Sequence, residues 1–162
     1  MKKILFGSLC MVLLLLTACA TGEPVRRYCD YLSIEIPDTM QSAGATDDGA
    51  AFAMAYVQDE CQLTVLAEDK AEIAQEYAAE TLEQYAALVL EKNAVDAEPI
   101  YSAEGNLCAE FETNMNGTWC YFYYVFLDDD TSYLTVQFGA LREDRADFAP
   151  RFRDWEATIE LL

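Results

Sequence analysis

The sequence predicts an α+β domain: an antiparallel sheet of about six to seven strands, with a long helix and a C-terminal helix packed on it as an α/β/α sandwich. Three observations carry this expectation. Strand-like runs come in hairpin-linked groups and do not alternate one-for-one with helices, which argues against a parallel doubly wound sheet. An apolar stripe at three- and four-residue steps runs through residues 69–93. A second, shorter stripe closes the chain.

The elements follow in order. Residues 31–36 alternate and stop at Pro37-Asp38, a strand followed by a turn signal. Residues 41–51 are small, polar and glycine-bearing, hence a loop, and residues 52–57 and 61–67 are two strand-like runs, with Cys61, Leu63 and Val65 on one face. Asp69-Lys70-Ala71-Glu72 has capping-box spacing at the head of the long helix. Its stripe consists of Ala74, Tyr77, Ala78, Thr81, Leu82, Tyr85, Leu88 and Val89, with Asn93 as the stop. A short strand over 99–103 and an alternating one over 107–113 come next, and Asn116-Gly117 marks a hairpin turn, since both residues tolerate positive φ. Residues 119–127 are apolar on both parities, as in a strand covered on two faces. Asp128-Asp129-Asp130 makes the next turn, residues 132–141 alternate again, and Pro150 suits the first turn of a closing helix. That helix buries Phe152, Trp155, Ile159 and Leu162, and leaves Arg151, Arg153, Asp154, Glu156 and Glu160 on its polar side.

This order resembles the Mog1/PsbP-like fold. The resemblance rests on the early strand ending in Ile36-Pro37, the Asp69-capped helix, the aromatic hairpin pair and the closing Phe152-x-x-Trp155-x-x-x-Ile159 helix, and it covers about residues 31–162. It implies an antiparallel sheet with helices on both faces, in small exported or lipid-anchored proteins that mostly act as accessory or assembly factors. No catalytic motif is common to that family. The metal-binding histidines of its photosynthetic members have no counterpart here, because the chain contains no histidine.

The N-terminus points to location. Met1-Lys2-Lys3 is a short basic segment, and residues 4–16 are an uncharged run, shorter than the roughly 20 residues of a membrane span. Leu16-Thr17-Ala18-Cys19 resembles the lipobox of bacterial lipoproteins. That resemblance implies a signal peptide over 1–18, cleavage before Cys19 and a diacylglycerol thioether on its sulfur. Lipidated Cys19 and a short tether then occupy 19–30, and a single globular domain 31–162, anchored to the cell membrane and facing outside the cytoplasm. Cleavage removes Lys2 and Lys3, so eight basic side chains face 29 acidic ones, a formal charge of −21. Such a charge repels nucleic acid phosphates and excludes an electrostatic nucleic acid footprint.

The chemistry available is limited. Without histidine there is no Ser-His-Asp or Cys-His set, and the seven glycines form no phosphate-binding loop. Cys29, Cys61, Cys108 and Cys120 could form disulfides in an oxidising compartment; they contain no Cys-x-x-Cys pair, so structural thiols or disulfides are expected over a metal or redox site. Asp128-Asp129-Asp130 and Asp47-Asp48 lack the ligand spacing of a calcium loop. Trp119, Tyr121, Phe122, Tyr123, Tyr124 and Phe126 form an aromatic run that either fills a two-sided core or lines a pocket. The expectation is therefore a non-enzymatic domain without a cofactor, binding a protein partner in the cell envelope. The rival is a lipoprotein that binds a small molecule or cation through a tyrosine-lined pocket or its acidic surface.

Overall fold

A computed structural model of the chain describes residues 22–43, 52–58 and 60–162. Cys19, Asp47 and Asp48 lie outside the described residues. The expected α+β class is present. Seven strands form one sheet, in the order β3 (Gln41–Ser42), β4 (Phe52–Gln58), β5 (Cys61–Asp69), β9 (Ser132–Leu141), β8 (Thr118–Asp128), β7 (Leu107–Met115) and β6 (Ile100–Tyr101). All neighbours are antiparallel. Asn116 and Gly117 have φ of 53° and 94°, and with Met115 paired to Thr118 they make the two-residue β7–β8 turn that Asn-Gly predicts.

The sheet is covered on both faces because its inner strands are apolar on both parities. On β8, Tyr121, Tyr123, Val125 and Leu127 point to one side, and Cys120, Phe122, Tyr124 and Phe126 to the other; all are buried. Two helices cover the second side, α1 (Lys70–Tyr77) and α2 (Leu82–Lys92). The sequence predicts one long helix there, and the structure corrects it. Ala78 ends α1 in the left-handed region at φ 56°, and Thr81 starts α2 with a reciprocal capping box to Gln84. Thr81-x-x-Gln84 is itself a helix-start signature, and it overrides a stripe that continues through Ala78 and Thr81, both of which are exposed. Tyr85, Ala86, Val89 and Leu90 carry the packing, whereas Leu88 is only half-buried.

The first side is covered by α3 (Arg145–Glu156) and by a second, three-stranded sheet in the order β1 (Pro24–Tyr28), β2 (Leu32–Pro37), β10 (Glu160–Leu161). β2 sends Leu32, Ile34 and Ile36 into the core, as its alternation predicts. Two expectations fail here. Residues 24–28, read as tether, are strand β1: Arg26 bonds Ser33 and Glu35 and also pairs with Glu160, so one guanidinium laces β1, β2 and β10 together. The closing helix starts before Pro150, through a 3-10 turn over Arg142–Asp144, so Pro150 sits inside it. It also ends earlier than its stripe suggests, and Leu161 and Leu162 are exposed on or beyond β10. Phe152 is the hub of this cover, with its ring 5.9 Å from Tyr121, 5.2 Å from Phe138, 5.6 Å from Phe148 and 5.6 Å from Trp155.

Burial on α2 gives a direct test. Leu90→Ala should lower stability by about 2–5 kcal/mol in urea unfolding, as core truncations do, and half-buried Leu88→Ala should cost clearly less. Equal losses at the two positions would contradict this packing.

Candidate functional site

The most distinctive polar feature is a carboxylate in the core. Glu156 is the last residue of α3 and is 2 % exposed. Its Oε1 accepts from Ser102 Oγ at 2.5 Å, Asn106 Nδ2 at 3.0 Å and Cys108 Sγ at 3.6 Å, and its Oε2 accepts from Tyr123 OH. Four donors from β7, β8 and the β6–β7 loop thus converge on one helix terminus. A buried carboxylate is costly unless its lone pairs are satisfied, and here they are. Burial, reinforced by the bonds to Cys108 and Glu156, pushes the Tyr123 hydroxyl far above its ordinary pKa, so it stays a donor. Desolvation pushes the Cys108 thiol up to about 12, and it too remains protonated.

The sequence pattern from Pro150 onward puts Glu156 on the solvent side of the closing helix. Including Phe148 in the stripe reverses this: Phe148, Phe152, Trp155 and Glu156 occupy i, i+4, i+7 and i+8, one helix face. Beside Glu156 the same helix is tied to β7 by exposed pairs. Arg145 bonds Glu110 at 2.6 Å and Glu112 at 2.8 Å, and Arg153 bonds Glu110 at 2.9 Å. Exposed pairs contribute little each, so the buried carboxylate dominates the polar attachment. With its donors drawn from three segments of the chain, it ties the end of α3 to the sheet as a clasp.

The other candidates sort clearly. Tyr121, Phe122, Tyr123, Tyr124 and Phe126 are buried core residues, and Trp119 is exposed at the strand's start under the Arg142 guanidinium, 4.9 Å from its ring. All four described cysteines are free thiols, one of the two alternatives that the sequence leaves open. The register explains why. Cys61 on β5 is level with Glu112 on β7, three strand spacings away, and Cys108 lies four residues further along β7, so the two Cα atoms are roughly 20 Å apart, beyond the ~7 Å that a disulfide spans. Cys120 faces the α1–α2 side and cannot reach either. Cys29 lies between β1 and β2 and directs its Sγ to the Leu32 carbonyl at 3.6 Å. Burial also pushes the Cys61 thiol up to about 12.

The aspartate turn is a folding device. Asp129 Oδ1 accepts from the Thr131 and Ser132 amides at 2.7 Å each, and Asp128 pairs with Lys70 Nζ at 2.8 Å. Burial opposes ionisation of Asp129, but these amides, the Thr131 hydroxyl and Lys70 outweigh it and hold the carboxyl below its ordinary range. Among the described residues, an open depression of about 310 Å³ lies between the end of α2 and the β7–β8 hairpin. Phe111, Val95, Met115 and Tyr124 line it together with Asn93 and Asn114.

Comparison with known proteins adds the fold's relations. No protein-family model matches the sequence, and no curated protein does. The structure is similar to the solution structure of cyanobacterial PsbP (CyanoP) from Synechocystis sp. PCC 6803, with a TM-score of 0.59 at 10 % identity, over 91 % of this chain and 99 % of that one. It is also similar to a crystal structure from Bacteroides thetaiotaomicron, with a TM-score of 0.53 at 13 % identity, over 87 % of this chain and 48 % of that one. At these identities the likeness shows the fold: a PsbP-like α+β arrangement, as the sequence resemblance implies.

The clasp predicts an asymmetry between two substitutions. Glu156→Leu strands the Tyr123, Ser102 and Asn106 donors in the core and should cost on the order of 3 kcal/mol or more, whereas Glu156→Gln keeps an acceptor and should recover most of that loss. Denaturant unfolding of the two variants measures it. A change below ~0.5 kcal/mol for Glu156→Leu, the range of ordinary surface substitutions, would remove the clasp from the account.

Proposed function

We propose that this chain is a lipid-anchored, extracytoplasmic domain that works by binding another component of the cell envelope and has no catalytic activity of its own. The observation that carries this reading is the fate of the aromatic strand. The tyrosines that could have lined a ligand pocket instead fill a two-sided core. Among the described residues, the carboxyl group that gathers the most side-chain donors, Glu156, is buried beside them. What the domain offers to solvent is surface, most of it acidic, and a protein partner suits that better than a buried substrate does. Anchoring rests on the basic start, the uncharged run and Leu16-Thr17-Ala18-Cys19. Two acyl chains, at about 0.8 kcal/mol per buried methylene, hold a domain on a membrane stably where one chain does not.

A second reading has one observation in its favour. The depression beside Phe111 and Tyr124 combines ring faces with the Asn93 and Asn114 side chains, a mixture that suits a small polar ligand with an apolar edge. Native mass spectrometry of the protein isolated from its own membrane separates the two: a co-isolated protein supports the first, a retained low-mass ligand the second.

The anchor is tested by Cys19→Ala. The variant should accumulate as unprocessed precursor without lipid, read by intact mass. Release of the variant at the mature size would show that an ordinary signal peptidase cuts the chain and that Cys19 carries no lipid.

A further inference from the structure

Three features share one end of the seven-stranded sheet. The described chain begins at Gly22, packed so closely on the β2–β3 turn that an added Cβ would stand 2.5 Å from Asp38 Oδ1 and 2.9 Å from Thr39 Oγ1. Two residues past Thr39, Gln41 pairs with Val57. From there the register runs across the sheet, Val57 to Gln62, Gln62 to Gly139 and Gly139 to Phe122, to the end where β9 finishes at Leu141 and the β7–β8 hairpin projects. At that end Trp119 is 46 % exposed with Arg142 stacked on its ring, and Val57 is 41 % exposed. The opposite end carries Asp69 and the Asp128-Asp129-Asp130 turn, since Asp69 pairs with Ser132 and Asp128 with Tyr133.

Only Ala20 and Thr21 separate Cys19 from Gly22. Three residue steps span at most about 11 Å however they are arranged. If Cys19 carries lipid at the headgroup level, the Gly22 end of the domain stays within that reach of the bilayer. The domain therefore cannot present an arbitrary side. The nine acidic side chains of residues 68–98 follow the α1–α2 face from one end of the sheet to the other, and Glu60 and Glu143 stand at the hairpin end, so the tether and not the charge sets the orientation. Tryptophan and arginine are side chains that an interface accepts, the indole among headgroups and the guanidinium on phosphate.

The geometry points to the end of the sheet that carries the Asn116-Gly117 hairpin, Trp119, Arg142 and Val57 as a contact surface for lipid headgroups, with the Asp128-Asp129-Asp130 end directed away from the membrane. This rests on the lipid-anchor reading and adds the docked face and orientation to it. Any envelope partner then meets the α1–α2 side or the distal acidic end. The membrane end is already occupied.

The test uses the full lipidated protein in vesicles of phosphatidylethanolamine and phosphatidylglycerol, some brominated near the headgroup. The chain has two tryptophans, and Trp155 is in the core, so comparing the natural protein with Trp119→Phe isolates the surface indole. Bromolipid should quench most of the Trp119 emission in the natural protein and leave the Trp119→Phe protein nearly untouched. Arg142→Glu should reduce the quenching without releasing the protein from the vesicles. A protein that floats with the vesicles and shows no Trp119 quenching overturns the docking surface and leaves the anchor intact. A protein that carries no lipid by mass and does not float overturns the anchor, and this surface with it.

Discussion

A sheet whose inner strands are apolar on both parities must be covered twice, and everything else in this domain follows from that constraint. Seven of the side chains from Cys120 to Leu127 are at most 4 % exposed, and Leu127 only slightly more, so neither face of β8 tolerates water. The α1–α2 pair supplies one cover. The other must come from the ends of the chain, because the connections between the strands are already used: β1 and β2 arrive from the N-terminus, α3 and β10 from the C-terminus. Arg26, reaching Glu35 and Glu160, binds the two termini into one layer. Burying that layer's aromatic hub contributes several kcal/mol, a large fraction of the 5–15 kcal/mol typical of a domain.

Apolar burial alone does not say where along the sheet α3 should rest, since aromatic rings slide over one another at small cost. Glu156 fixes the position. A carboxylate in the core is tolerated at one place only, where Ser102, Asn106, Cys108 and Tyr123 aim donors at it. Displacing the helix by one turn would leave the Glu156 carboxyl group without donors and the donors without an acceptor, each a cost of kcal/mol size. The clasp thus contributes more to the uniqueness of the docked position than to net stability, the role best attested for buried polar groups elsewhere. Ser102 and Tyr101 extend the effect: Ser102 bonds α3 on one face of the sheet while Tyr101 bonds Glu83 of α2 on the other at 2.6 Å, so the short β6 segment connects the two covers.

Much of this is legible in the sequence, and each exception has a physical cause. Period-two alternation in residues 107–113 and 132–141, with Asn116-Gly117 between strands, marks the hairpins because one strand's pattern is a local property. The apolar character of residues 119–127 on both parities announces a doubly covered strand. What the sequence hides is which segments provide the cover. β1 contains the Arg26-Arg27 pair and looks like a solvated tether until Glu35 and Glu160 are in place to neutralise Arg26. Thr81-x-x-Gln84 carries a helix-start signal that a continuous apolar stripe masks. Glu156 reads as a solvent residue because its type outweighs its position; only the spacing from Phe148 shows that it faces inward. For β1 a long-range partner decides, whereas at Thr81 and Glu156 a local signal is present and a stronger competing one covers it.

The second cover is either an integral part of the folded unit or a layer that opens by itself, and native-state hydrogen exchange distinguishes these most directly. If the clasp and the Phe152 hub make one cooperative core, the amides of Phe152 and Trp155 in α3 and of Ile34 in β2 exchange with the same opening free energy as those of Val125 and Val136 in the sheet. Exchange of α3 and β2 through an opening several kcal/mol cheaper than that of β8 and β9 would contradict it, and would make the second cover a detachable layer.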